Sequence, residues 1–382
     1  MDPRTGLPVV GMVGAGQLAR MTHQAAIALG QSLRILAASP DDGAALVAAD
    51  VRVGHHTDLA ALREFAKGCE VVTFDHEHVP YEHLVALAAE GVTVLPGPDA
   101  LRFAQDKRLM RERLTALGVP VPRWTPVESV QDVRSFAAGA SVVVKAARGG
   151  YDGRGVWFVG PAGVEATVRP LLADGTPLIV EEQVPLVREL AAVVARSPFE
   201  QVAGWPVVET VQADGMCVEV LAPAPGLSEE RAVRAQELAI RLASELDVVG
   251  VLAVELFETA DGLLVNELAM RPHNSGHWTI EGSRTSQFEQ HLRAVLDYPL
   301  GATGLTARSV AMANVVGGAT GGMALDERLH HLFAEDPAMK VHLYGKQVRP
   351  GRKIGHVTAL GDDPAAVRAR ARRAARWLRE GL

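Results

Sequence analysis

The 382-residue sequence predicts an α/β protein of two or three domains, with a parallel sheet at its N-terminal end. Three observations carry that expectation. Short β-branched runs alternate with helix-spaced segments over roughly the first hundred residues, the pattern of βαβ units. Two prolines and a glycine in Val94-Leu95-Pro96-Gly97-Pro98 close that block and open a longer, strand-rich one. At roughly 150 residues per domain, the length also allows a large buried core.

Taken in order, Val9–Val13 reads as a first strand, followed by a glycine turn and a helix over 17–29 that Gly30 stops. Residues 33–37 and Val71–Phe74 are the next strands, and a parallel sheet places ligands outside their carboxyl ends. The central block opens with a helix over 106–117, ended by Gly118. Strands at 141–145 and Leu178–Glu182, a helix over 229–246 and a hairpin over 249–268 follow. The tail holds a strand at Ser309–Val316 and a last helix. On that helix Val367, Ala371, Ala374 and Leu378 form one apolar stripe, with six arginines elsewhere. An alanine-dominated stripe anchors poorly in a membrane, which favours a surface helix over a basic membrane anchor. The expected units are residues 1–98, 99–303 and 304–382.

Composition excludes several classes of function. With 45 acidic and 38 basic residues the net charge is −7, so nothing electrostatic calls for nucleic acid or an acidic membrane surface. Apolar residues at 48% and charged ones at 22% argue against disorder. No apolar run approaches the ~18 residues of a membrane-spanning helix, and Met1-Asp2-Pro3-Arg4-Thr5-Gly6 lacks the layout of a signal peptide. The expected location is the cytoplasm. Cys69 and Cys217, far apart in sequence, argue against a disulfide framework or a thiolate metal site.

Gly14-Ala15-Gly16-Gln17-Leu18-Ala19 fits a phosphate-binding turn at a helix N-terminus. A nicotinamide site also needs a carboxylate ending the second strand, and here Ala37-Ala38-Ser39-Pro40 stands there. A phosphate-bearing substrate other than a dinucleotide is the preferred reading, against a tight turn with no ligand. The sharpest signal is the late hairpin. If Ala260-Asp261-Gly262 is a three-residue loop, Thr259 pairs with Leu263 and Glu255 lies opposite Glu267. The two carboxylates then share a face about 5 Å apart, tolerable with a divalent cation between them; hard oxygen ligands suit Mg2+. A one-residue register slip would undo this by sending them to opposite faces.

Lys145 ends a β-branched strand, and Arg148-Gly149-Gly150-Tyr151-Asp152-Gly153-Arg154-Gly155 follows at once. Its glycines free backbone amides to wrap phosphate oxygens, with Lys145 and Arg154 adding charge; the alternative is a flexible hairpin turn. No Gly-Lys-Ser/Thr follows, so this is not a Walker loop. Arg271-Pro272-His273-Asn274-Ser275-Gly276-His277 is dense in donors directly after the hairpin and reads as an anion or sugar site. The run from Tyr344 to Lys353 carries Lys346, Arg349, Arg352 and Lys353, either a solvated turn or a phosphate pocket. His76-Glu77-His78 and His55-His56 are disfavoured as a zinc site, because neighbouring strand residues point to opposite faces.

Together these residues resemble the ATP-grasp superfamily, and within it the branch that carboxylates 5-aminoimidazole ribonucleotide in purine biosynthesis. Its most specific stretches here are Gly149 to Gly155, Arg271 to His277 and Ser286-Gln287-Phe288-Glu289-Gln290-His291. The resemblance implies an N-terminal pre-ATP-grasp α/β domain, a two-lobed ATP-grasp α+β domain and a small C-terminal domain. It implies ATP and bicarbonate as co-substrates, Mg2+ as cofactor, carboxyphosphate as intermediate, and a homodimer. By that resemblance Lys107 and Lys145 contact ATP, while Gly150, Tyr151, Asp152, Gly153, Arg154, Gly155 and Val156 close over its phosphates. Glu181, Glu182, Gln183 and Val184 read adenine, Glu189 holds the ribose, and Gln212 stands where the family often has histidine. Glu255 and Glu267 hold Mg2+, with Asn266 alongside. Glu77, Tyr151, Asp152, Arg154, Arg271, His273, Asn274, Ser275, Lys346, Arg352 and Lys353 surround the ribonucleotide. Asp152, Arg154 and Lys346 are the catalytic candidates.

Overall fold

The structure, a computed structural model, describes residues 1–150, 153–318 and 322–381. The N-terminal unit alternates β1 (Val9–Val13), α1 (Gln17–Ala28), β2 (Ser32–Ala37), β3 (Asp50–Val53), α2 (Leu59–Ala66), β4 (Val71–Phe74) and α3 (Tyr81–Ala89). Its sheet runs β3-β2-β1-β4 with every pairing parallel, as the alternating pattern requires. β1 and β4 are buried along their whole length, which explains their unbroken apolar character. Helices α4 (Pro98–Gln105) and α5 (Lys107–Ala116) then lead into the central block; Asp106 caps α5 by accepting from the Arg108 and Leu109 amides.

A small lobe follows: β5 (Trp124–Val127), α6 (Val130–Ala137), β6 (Val142–Ala146), β7 (Val156–Val159), α7 (Val164–Ala173) and β8 (Leu178–Glu182). Its antiparallel sheet has the order β5-β8-β6-β7, with α6 and α7 packed over a core that includes Val133, Val144 and Val168.

The second lobe and the tail share one large sheet. It is built from β9 (Arg188–Arg196), β10 (Val202–Gly204), β11 (Val208–Ala213), β12 (Met216–Ala222), β13 (Gly250–Glu258), β14 (Leu263–Ala269), β15 (Ser309–Val316), β16 (Lys340–Leu343) and β17 (Lys353–Gly361). The order is β14-β13-β9-β11-β12-β15-β17-β16, with β10 paired to β9, so hydrogen bonding continues across residue 303 into the tail. Helix α8 (Glu229–Glu245) covers β9 and β13 through Ala235, Ala239 and Leu242. The short α9 (Thr279–Gly282) precedes α10 (Gln287–Val295), and α11 (Leu325–Glu335) precedes α12 (Pro364–Glu380). In α12 the stripe Val367, Ala371, Ala374 and Leu378 is buried in the core against β15 and β17 rather than left for a membrane. No helix among the described residues is long and apolar enough to cross a membrane.

Helix α10 joins the first sheet to the large one. His291 accepts from the Val251 amide (3.1 Å) with one ring nitrogen and meets the Thr73 hydroxyl (2.8 Å) with the other. Gly250, at φ 107°, leaves room for that ring, since a Cβ there would stand 2.8 Å from it.

Candidate active site

A cleft of about 1360 Å³ opens between the N-terminal sheet, the small lobe and the large sheet. The late hairpin forms its floor, and the structure corrects the expected turn. Glu258, not Thr259, pairs with Leu263, so the loop holds four residues, closed by the Thr259 amide on the Gly262 carbonyl (2.8 Å). That one-residue slip alone would have sent the glutamates to opposite faces. A β-bulge at Asn266 cancels it: Leu256 pairs with Val265, but Glu255 pairs with Glu267. The extra residue re-aims the strand, so Asn266 and Glu267, neighbours in sequence, both line the cleft opposite Glu255.

Charges around this hairpin are paired in sequence. Lys107, at the start of α5, lies 2.8 Å from Glu267. Lys145 at the end of β6 lies 2.7 Å from Glu181 and donates to the Asn266 side-chain oxygen Oδ1 at 3.0 Å. Glu181 in turn accepts from Arg111 at 2.6 Å, and both side chains are almost wholly buried. Arg111 sits one helical turn after Lys107, so a single face of α5 supplies both cations. Burial pushes the Glu267 carboxyl up, but Lys107 and Lys145 outweigh it and hold it down at about 2. Glu189, on β9, goes the other way: burial, and then the charge of Glu255, raise it to about 7. Glu189 is also hydrogen-bonded to Gln212.

Of the expected nucleotide-binding residues, Gly150, Gly153, Val156, Glu182, Gln183, Val184, Glu189 and Gln212 line the same cleft. Tyr151 and Asp152 lie outside the described residues. Gly153 packs so closely on the β11–β12 turn that a Cβ would stand 2.9 Å from the Gly215 Cα. Gly155 packs on Ala146 and Gly150, and Arg154 is exposed; neither is among the cleft-lining residues.

At the cleft's other end Arg271 meets Glu77 at 2.8 Å, and Lys346 donates to the Gln17 side-chain oxygen at 2.6 Å. The His273 ring is held on both sides, Nδ1 to the Ser275 hydroxyl (2.9 Å) and Nε2 to Glu255 (3.2 Å). Asn274 and Lys353 line the cleft as well; Ser275 is buried behind it and Arg352 is exposed. Cys217 also lines it, its thiol pushed up to about 12 by burial, which leaves no thiolate nucleophile.

One expectation changes here. The turn 14–16, read as a seat for a substrate phosphate, is filled by the protein itself: the Asp75 carboxylate accepts from the Gly16 amide at 2.5 Å. A Cβ at Gly14 would come within 2.0 Å of that carboxylate, and one at Gly16 within 2.8 Å, so the glycines make room for Asp75. Burial raises Asp75 to about 6. Alternation parts His76 from Glu77 but leaves His76 and His78, two positions apart, on one side. β4 ends at Phe74, the chain bends, and their rings stack with centroids 5.1 Å apart, with His56 4.7 Å from His76. Among the described residues, however, no group of three or more His, Cys, Asp or Glu side chains is arranged to hold a metal ion.

A cleft between two lobes and an N-terminal parallel sheet, floored by paired glutamates, is the arrangement of an ATP-grasp protein, and three family models agree. A ribonucleotide synthetase preATP-grasp domain matches residues 7–105, an ATP-grasp domain 112–288, and a phosphoribosylaminoimidazole carboxylase C-terminal domain 310–370. The N5-carboxyaminoimidazole ribonucleotide synthase of Mycobacterium bovis is 62% identical over 379 residues, 98% of this chain and 88% of that one. The crystal structure of the N5-carboxyaminoimidazole ribonucleotide synthetase of Thermus thermophilus superposes with a TM-score of 0.87 at 37% identity, covering 98% of this chain and 99% of that one. The Aspergillus clavatus enzyme in complex with ADP and 5-aminoimidazole ribonucleotide gives 0.87 at 31% identity, over 97% and 98%. The chain belongs to the N5-carboxyaminoimidazole ribonucleotide synthase family.

Proposed function

We infer that the protein is an ATP-dependent carbon–nitrogen ligase that carboxylates the exocyclic amine of 5-aminoimidazole ribonucleotide, with bicarbonate as carbon source, in purine biosynthesis. The observation that carries this reading is the continuous cleft from the Lys107–Lys145 pair, over Glu255 and Glu267, to Arg271, His273 and Lys346. It joins a lysine-bearing end to a second, donor-rich end across one floor.

ATP would lie between the lobes. Lys107 and Lys145 meet its phosphates, residues 150–156 cover them, and the backbone of 181–184 reads adenine, the Glu181 carboxylate being already committed to Arg111 and Lys145. Glu189 and Gln212 face the ribose. The residues present fit a Mg2+ ion: Glu255 and Glu267 face each other, Asn266 lies between, and Glu189 is driven to about 7 partly by the Glu255 charge. When bound, Mg2+ supplies charge neutralisation at the transferring phosphoryl group.

Bicarbonate is a poor electrophile, because negative oxygen flanks its carbonyl carbon. Transfer of the γ-phosphoryl group to it gives carboxyphosphate and ADP, with Lys145 and Arg154 steadying the charge. The substrate amine attacks that carbon, or carbon dioxide released from it within the closed cleft. Phosphate leaves, and the amine proton passes to Asp152 while Lys346 steadies the anion. Glu77, Arg271, His273, Asn274, Ser275, Arg352 and Lys353 form the ribonucleotide end. We also propose the division at 98/99 and 303/304, Asp152 and Tyr151 as part of the closing loop, a homodimer, and a cytoplasmic location. Phosphate release that needs bicarbonate and rises with 5-aminoimidazole ribonucleotide is the test; release indifferent to both would overturn the reading.

A further inference from the structure

His273 caps the single 3-10 turn 274–276, its carbonyl accepting from the Gly276 amide at 2.9 Å, and its ring bridges Ser275 and the Glu255 carboxylate. Beyond that turn, its backbone is held by one side chain from another element. Gln287, the first residue of α10, is completely buried. Its Oε1 accepts from the His273 amide at 2.9 Å, and its Nε2 donates to the His273 carbonyl at 2.7 Å. One primary amide thus satisfies both backbone groups of one residue, which fixes position and rotation together.

The surroundings leave that amide no alternative place. A Cβ on Gly276 would stand 2.3 Å from the Gln287 Oε1, so only glycine admits it. The Thr279 hydroxyl accepts from the Gln287 backbone amide at 2.9 Å and donates to the Gly276 carbonyl at 2.6 Å, tying the helix start to the loop. One turn along, His291 fastens the same helix to β13 and β4. The helix that joins the N-terminal sheet to the large one therefore also sets the orientation of His273.

We propose that Gln287 is a positioning residue for the ribonucleotide end of the site, acting through His273. The proposal rests on the functional reading above. A neutral side chain buried merely to satisfy a loop would affect folding; a positioning residue affects the response to the ribonucleotide and spares that to ATP.

Full-length Gln287→Met and Gln287→Glu test this, with KM measured separately for ATP and 5-aminoimidazole ribonucleotide between about pH 6 and pH 9. Gln287→Met loses both hydrogen bonds to His273. Its KM for the ribonucleotide is expected to rise on the order of 10- to 100-fold, with that for ATP within about twofold. In Gln287→Glu a protonated carboxyl reproduces the amide, accepting from the His273 N–H and donating to its carbonyl, whereas the carboxylate cannot donate. That variant is expected near wild type at the acid end and progressively impaired toward the alkaline end. The titratable group touching the amide is the His277 imidazole, which burial keeps well below its ordinary range, hence neutral throughout. Equal changes in both KM values, no change in either, or a pH profile of Gln287→Glu parallel to wild type would overturn the proposal. If Gln287→Met does not fold, the profile of Gln287→Glu decides alone. A wild type whose ATP hydrolysis ignores the ribonucleotide would instead remove the functional reading, and this proposal with it.

Discussion

Glu181→Gln removes one negative charge from a site that is almost wholly buried. The Arg111, Glu181 and Lys145 side chains are 1%, 2% and 7% exposed, and the carboxylate lies 2.6 Å from one cation and 2.7 Å from the other. A glutamine of the same shape leaves two buried cations facing a neutral amide, one end of which is a donor pointing at donors. Breaking a buried pair from one side costs about 3–5 kcal/mol. At about 2 °C per kcal/mol for a long chain, the melting midpoint is expected to fall by roughly 6–10 °C. Calorimetry with and without ATP reads this, and ATP should narrow the gap because its phosphates return an anion to Lys145. The pH dependence has a definite sign. Burial pushes the Glu181 carboxyl up, but Lys145 and Arg111 outweigh it and hold it below the ordinary carboxylate range. Its stabilisation is therefore complete above the unfolded value and is lost as pH falls through the lowered folded one; the variant lacks that acid-side loss. A fall under about 2 °C, with an acid limb like wild type, would refute the reasoning.

Three further outcomes are expected. Glu267→Ala should abolish Mg2+-dependent turnover, by at least about 100-fold, while circular dichroism stays unchanged; wild-type turnover would remove the metal assignment. Asp152→Asn should bind ATP with near wild-type affinity in calorimetry yet lose product formation by about 100-fold or more, and unimpaired product formation would end its proton role. Asp75, raised by burial from the ordinary 3.8 to about 6, contributes stability that is fully present below the unfolded value and is lost as pH climbs through 6, roughly 3 kcal/mol in all. Asp75→Asn should flatten that decline in urea unfolding at about pH 4 and pH 8, and parallel slopes for the two proteins would contradict it.

The parallel sheet and the helices were legible because they rest on periodicity, and Val9–Val13 and Gln17–Ala28 lie within a residue or so of their expected bounds. The facing glutamates were legible for a reason only half right. A three-residue loop predicts their pairing, while the chain reaches it by a four-residue loop plus a bulge at Asn266. Bulges have no local signature of the kind a turn has, so two displacements of one residue each, in opposite senses, stayed hidden. Partners distant in sequence were not legible either. Nothing near Gly14 or Gly16 announces that Asp75, 59 residues past Gly16, fills their turn. Nor does a sequence show that Arg111 reaches Glu181 across 70 positions, though its spacing of four from Lys107 placed both on one helix face. His76 and His78, two positions apart, share a side whether or not alternation continues past β4, and the approach of His56 from a separate segment is what no local pattern shows. Gln287 stood in a motif that carried the family resemblance, yet its work is visible only once α10 and the 273–277 loop are folded together.

Phosphate released by the purified protein, with Mg2+–ATP present and bicarbonate and 5-aminoimidazole ribonucleotide added singly and together, tests the account most directly. Release is expected to be greatest with both, and labelled bicarbonate carbon is expected on the ribonucleotide amine. Equal release in all four mixtures, or label that never reaches the ribonucleotide, would contradict it.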